Sequence, residues 1–64
     1  MNQYELKQAK RYADAFAFHA EQELRRTPGA SASWKAYMHQ EVDKARDLSG
    51  RIDALIEVSR EDAA

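Results

Sequence analysis

The two histidines of the chain each precede a carboxylate by four residues, a spacing that places both side chains on one face of a helix. His19 is followed by Glu23, and His39 is followed by Asp43. Imidazole and carboxylate can chelate a metal at this spacing, but two ligands from one helix hold it weakly. Neither histidine has a glutamate three residues before it, as di-iron helical bundles require. We therefore interpret both histidines as surface residues in helix ion pairs and predict no metal site.

Residue patterns that support catalysis are also missing from the sequence. The four serines lie in no nucleophile-elbow motif, and neither of the two glycines belongs to a glycine-rich loop that could hold a phosphate. A chain of 64 residues also has little volume for a pocket. We predict that the chain is not an enzyme, with no catalytic residue and no cofactor.

Helix-forming residues dominate the chain, and its one proline, Pro28, stands beside Gly29. This break predicts a single domain, residues 1–64, of two helices. We expect a helix at about 3–26, a turn at about 27–31, a second helix at about 32–60 and a frayed tail at 61–64. A short connection makes two helices antiparallel neighbours, so the expected fold is an all-α helical hairpin.

The helix ends have candidate capping residues. Asn2 and Glu5 have the spacing of a capping box for the first helix. Ser31 and Ser33 are candidate caps for the second, and a start with Thr27 as cap and Pro28 as first helical residue is the alternative. The sequence leaves open whether the second helix bends or breaks at Gly50.

Helical projection gives the two helices apolar faces of different width. The face of the first helix is mostly alanine and comprises Leu6, Ala9, Ala13, Phe16, Ala17, Ala20 and Leu24, with Tyr12 at its margin. The broader face of the second comprises Trp34, Tyr37, Met38, Val42, Ala45, Leu48, Ile52, Leu55 and Ile56. Small residues on one helix let large residues of the other fill the space between them.

The broad face of the second helix is wider than one alanine-rich helix can cover. We therefore predict a homodimer in which two hairpins form a four-helix arrangement of coiled-coil type. The expected dimer interface comprises Leu48, Ile52, Leu55 and Ile56. The alternative is that this face binds a different protein.

A second predicted surface lies around Phe18, which projects away from the apolar face of the first helix. Arg11, Gln22 and Arg25 surround it in the helical projection, and an aromatic anchor with long polar neighbours is typical of protein interfaces. Arg26, Trp34 and Tyr37, at the hairpin tip, complete the predicted partner-binding set. Simpler interpretations are that Phe18 is a dimer contact or a lone exposed residue, and that the tip aromatics close the core.

Composition limits the other classes of partner. The net charge of −1 gives no overall attraction for nucleic acid or anionic lipid. Two basic clusters could form a stripe in a dimer: Lys7, Lys10 and Arg11 in the first helix, and Arg25, Arg26 and Lys35 at the tip. They keep a small nucleic-acid-binding or transcription-regulating dimer as the alternative. There is no cysteine, and no apolar run approaches the length of a membrane span. We expect a cytoplasmic protein with no membrane partner.

The whole chain, from MNQYELKQAK through RRTPGASASW to LSGRIDALIEV, resembles two families of small helical hairpins. One comprises the cysteine-free hairpins that phages encode to inhibit host proteins, including anti-quorum-sensing proteins. This resemblance implies a dimer that captures a host protein, such as a transcription regulator or a pilus motor. The other comprises the two-helix chaperones of type III secretion, which hold a needle subunit. Neither resemblance assigns a role to an individual residue.

Overall fold

The structure is a computed structural model that describes residues 2–63, with the side chains of residues 2–60. It contains two α-helices, α1 (Gln3–Arg26) and α2 (Ala32–Ala63), which pack against each other. Within the described residues there is no strand, so the predicted all-α hairpin is confirmed. Residues 61–63 of the expected frayed tail continue α2, and Ala64 lies outside the described part.

Side chains cap both helices at their N-terminal ends. The Asn2 side chain accepts a hydrogen bond from the backbone N–H of Glu5 at 2.8 Å. At the start of α2, the Ser31 hydroxyl accepts from the backbone N–H of Trp34 at 3.2 Å. Each contact satisfies an N–H group that the helix itself leaves without a partner. Ser31 is therefore the cap of α2, and the alternative start at Thr27 is excluded.

A compact turn joins the helices. Thr27 ends α1 by donating both its backbone N–H and its hydroxyl to the carbonyl of Glu23. The Ala30 N–H then donates to the Thr27 carbonyl at 3.1 Å, and the Lys35 ammonium donates to the carbonyl of Pro28. These bonds hold the short loop against the start of α2. Further along, α2 continues through Gly50 without interruption.

The core is a narrow seam between the antiparallel helices. Ala17, Ala20, Val42 and Ala45 form one buried cluster, with Met38 packed against it. Leu6, Ile52 and Ile56 form a second cluster towards the open end, with Ala9 packed against it. Alanines of α1 face larger residues of α2 near the turn, as the sequence suggested, and this lets the helices approach closely.

Phe16 differs from its expected place in the seam, because 49% of it is exposed. The buried alanines of α1, Ala13, Ala17 and Ala20, set the line along which α2 approaches. Phe16 projects to one flank of that line and therefore lies at the edge of the seam.

Candidate protein-binding surfaces

One flank of the seam is polar and ties the two helices together. The Lys10 ammonium of α1 donates to the Ser49 hydroxyl of α2 at 3.0 Å and to the Asp14 carboxylate at 3.1 Å. It also lies 3.7 Å from the Asp53 carboxylate of α2. We call these four residues the polar side. An ion pair between Glu21 and Arg46 and a hydrogen bond from the Gln3 amide to the Ile56 carbonyl also bridge the helices.

The polar side changes the acid–base properties of its members. The Ser49 hydroxyl and then the Lys10 ammonium lower the pKa of Asp14 below its ordinary value of 3.8, because both stabilise the carboxylate. The hydrogen bond to Asp14 is the main factor that raises the pKa of Lys10 above its ordinary value of 10.5, against the opposing effect of desolvation. Each group is thus held in its charged form.

These shifts predict how the stability of the hairpin depends on pH. A carboxyl whose pKa is lowered by folding stabilises the folded state above its unfolded pKa, and this contribution disappears as the pH falls through the folded pKa. We expect the free energy of unfolding to decrease as the pH is lowered past 3.8, and to decrease less in the variant Asp14→Asn. Urea unfolding at neutral pH and at several acidic pH values measures both curves. The control is Asp43→Asn, an exposed aspartate without an ion pair among the described residues, which should follow the wild type.

The opposite flank of the seam is an open apolar groove. Tyr12 and Phe16 of α1 and Leu48 of α2 line a stretch of about 530 Å³, with Ala13 and Ala45 also in its lining. Tyr12 is 74% exposed and Leu48 is 52% exposed. These large side chains therefore flank a groove that no part of the hairpin fills.

The groove continues towards the turn past Phe16, which lines both stretches. Its second stretch, of about 310 Å³, is lined by Phe16, His19 and Tyr37, among others. Tyr37 is itself 58% exposed. We call Tyr12, Phe16, Tyr37 and Leu48 the groove side. Hence the two flanks of the same seam have opposite characters, one polar and the other apolar.

The first stretch of the groove also contains one acid and one base, both on α2. Glu41 and Lys44 line the first stretch of the groove. Their carboxylate and ammonium lie 3.6 Å apart, as an i,i+3 pair of the helix. The Glu41 side chain is 26% exposed and that of Lys44 is 71% exposed. A partner on the first stretch would therefore meet one charge of each sign beside the apolar residues, whereas the second stretch adds Glu23 of α1.

The structure separates the residues expected at the dimer interface. Leu48 and Leu55 are each more than half exposed, whereas Ile52 and Ile56 are each 6% exposed and pack against Leu6 within the hairpin. Two of the four side chains are therefore already covered by α1. The broad face of α2 does leave large aliphatic residues uncovered, but Leu48 and Leu55 are the accessible members of the expected set.

The predicted partner-binding residues also fall into separate regions. Phe18 is 58% exposed, and its ring meets that of His19 edge-on, with 5.6 Å between centroids. Arg11 and Arg25 are exposed and Gln22 is partly buried on the same outward stripe of α1. We call this stripe, Phe18 with Arg11, Gln22 and Arg25, the outer face. It is turned away from both the core and the groove side.

The remaining three predicted residues lie elsewhere. Arg26 is exposed at the end of α1, with its guanidinium 3.8 Å from the Glu23 carboxylate. Trp34 is partly buried in the first turn of α2, and Tyr37 lines the groove. The structure thus does not bring the seven residues into one continuous surface. The outer face and the groove side are two surfaces with different orientations.

Sequence reasoning missed two prominent residues of the groove side, Tyr12 and Phe16. The helical projection places Phe16 on the apolar face of α1 and Tyr12 at the margin of that face. The sequence did contain a signal for an uncovered edge, since these two residues lie four residues apart along one edge of that face. Which residues of α2 lie beside Tyr12 and Phe16 depends on how the two helices pack. A helical projection of each helix by itself does not give this packing.

Comparison with known proteins identifies no relative: no family model, no curated protein and no solved structure matches this chain. Among the described residues there is no cluster of three or more histidine, cysteine or acidic side chains that could hold a metal ion. No helix in this part of the chain is long and apolar enough to cross a membrane.

Proposed function

We propose that the chain is a non-enzymatic protein-binding module that acts as a homodimer and changes the activity of the protein it captures. The observation that carries this proposal is the outer face. An aromatic ring that is 58% exposed, with arginines and a glutamine along the same helix stripe, has the composition of an interface anchor and its rim. The continuous helix beneath it presents these side chains in a fixed arrangement.

The relative positions of the surfaces support the same proposal. The groove side supplies apolar area for a second copy, whereas the outer face is turned away from it. A dimer formed through one surface would therefore leave the other accessible to a captured protein. A phage protein that inhibits a host transcription regulator or pilus motor is the form of this function that the sequence resemblance suggests. A two-helix secretion chaperone is the related alternative.

Nucleic-acid binding has weaker support. Lys10, a member of the basic cluster in the first helix, is engaged by the carboxylates of Asp14 and Asp53. Arg26 lies near Glu23. These neighbours reduce the positive charge available to phosphates. Retention on heparin that is lost with added salt would favour the nucleic-acid alternative, and flow-through at low salt would count against it.

The outer face is tested by capture of partners from a lysate of cells that naturally contain the chain. We expect the double variant Phe18→Ala/Arg25→Ala to retain its helical content and melting temperature, because both side chains lie outside the core. A protein identified by mass spectrometry with the wild type should be reduced at least tenfold with this variant, as expected for loss of an anchor and a charged neighbour.

The matched control for that experiment is Val58→Ala/Arg51→Ala, which removes an exposed aliphatic residue and an exposed arginine from α2. This variant should capture the same protein as the wild type. Equal capture by Phe18→Ala/Arg25→Ala would overturn the assignment of the outer face. Unfolding of that variant would show that Phe18 belongs to the core.

A further inference from the structure

We infer that the groove side is the surface through which two copies of this chain associate, and that the two hairpins lie antiparallel across a two-fold axis near Phe16. This inference rests on the proposed self-association and specifies its surface and its orientation. It replaces the interface expected from the sequence, because Ile52 and Ile56 are covered within the hairpin.

The first argument is the amount of surface that one hairpin exposes. Its accessible surface is 4874 Å² for a mass of 7.3 kDa. A compact monomer of this mass exposes roughly 4,200 Å², and a standard interface buries about 800 Å² on each partner. The excess of roughly 700 Å² is therefore close to what one side of a stable interface covers. The Cα radius of gyration, 14.9 Å against about 11 Å for a compact domain of this length, shows that the excess surface comes from the elongated shape of the hairpin.

The second argument is where the uncovered apolar side chains lie. The polar side is already occupied by contacts between the helices. The groove side instead has Tyr12, Phe16, Tyr37 and Leu48, each about half exposed or more, along both helices. A helix pair of a second copy placed here would complete a four-helix arrangement with these residues at its centre.

The charges on the groove side favour the antiparallel orientation. Phe16 lines both stretches of the groove, and Glu41 and Lys44 lie on α2 beside it. In antiparallel hairpins the two-fold axis is perpendicular to the helices and passes near Phe16, so that α2 of one copy faces α2 of the second. Glu41 of each copy then faces Lys44 of the other, and the pair occurs twice by symmetry. In parallel hairpins the two-fold axis runs along the helices, so that α2 of each copy faces α1 of the second and neither Glu41–Lys44 pair forms.

The inference is tested with full-length protein by sedimentation equilibrium at low ionic strength. Glu41→Lys and Lys44→Glu should each raise the dissociation constant of the dimer, by about tenfold, since each places two like-charge pairs across the interface. The combined change Glu41→Lys/Lys44→Glu should restore the wild-type constant. Leu48→Lys should give monomers, because it places a charge in the apolar groove.

The control pair is Glu57 and Arg60, which has the same i,i+3 spacing on α2 and lies beyond the groove. Glu57→Lys and Arg60→Glu should leave the dissociation constant unchanged, and circular dichroism should show that all variants remain helical. A dimer that is indifferent to Leu48→Lys would overturn the groove side alone. An unchanged dissociation constant in both Glu41→Lys and Lys44→Glu would overturn the antiparallel orientation. A wild type that stays monomeric would overturn the proposed homodimer as well, whereas the capture experiment tests the outer face separately.

Discussion

Replacement of Ala17 by leucine is expected to destabilise the hairpin by at least 1–3 kcal/mol, the usual cost of forcing extra methylenes into a packed core. Ala17 is 1% exposed and packs in the cluster with Val42 and Ala45. A larger side chain here must push the helices apart. Small domains have only a few kcal/mol of stability, so the variant should lose most of its helical signal near room temperature.

The matched control is Ala15→Leu, since Ala15 is exposed on the same helix and alanine and leucine have similar helix propensities. Thermal and urea unfolding followed by circular dichroism compares the two variants. Because a dimer melts at a temperature that depends on concentration, both should be measured at the same low concentration. Equal melting temperatures and urea midpoints for Ala17→Leu and Ala15→Leu would show that α1 and α2 do not approach along the buried alanines of α1.

Ile52→Ala is the second change with a large expected effect, a loss of about 2–5 kcal/mol of folding free energy. Ile52 is 6% exposed and fills the second core cluster with Leu6 and Ile56, so its truncation leaves a cavity that the narrow seam cannot easily close. The change in the urea midpoint of unfolding measures this loss.

Leu55→Ala is the control, because Leu55 lies three residues later and is 55% exposed. This change should alter the stability of the isolated hairpin by less than about 0.5 kcal/mol, as is usual for surface sites. The pair separates a core role from an interface role within one apolar face. If Ile52→Ala left the urea midpoint unchanged and only dissociated dimers, Ile52 would belong to the interface that the sequence predicted.

Most of the fold can be predicted from local features of the sequence. Pro28 and Gly29 marked the corner, Asn2 and Ser31 had the right chemistry for N-terminal caps, and the 3.6-residue spacing of apolar residues identified the faces that meet. These features depend on interactions within a few residues or on the periodicity of one helix. The all-α hairpin could therefore be predicted from them.

The surfaces beside the seam could not be predicted in the same way. Projection of α2 placed Leu48 and Ile52 on one face, yet the hairpin buries Ile52 and exposes Leu48. Which edge becomes covered depends on the rotation of each helix about its own axis, which is set by how the alanines and larger residues interlock. The bond from Lys10 to Ser49, separated by 39 residues in the chain, depends on the same rotation.

The central claim, that two hairpins associate side by side through their groove sides, is tested most directly by small-angle X-ray scattering of the wild type at tens of micromolar. We predict a mass twice the 7.3 kDa of one chain and a maximum dimension well short of twice the 51 Å length of one hairpin. A mass of 7.3 kDa with a radius of gyration near 14.9 Å would contradict the claim. A dimer about twice as long as one hairpin would also contradict it, because it would join the hairpins end to end.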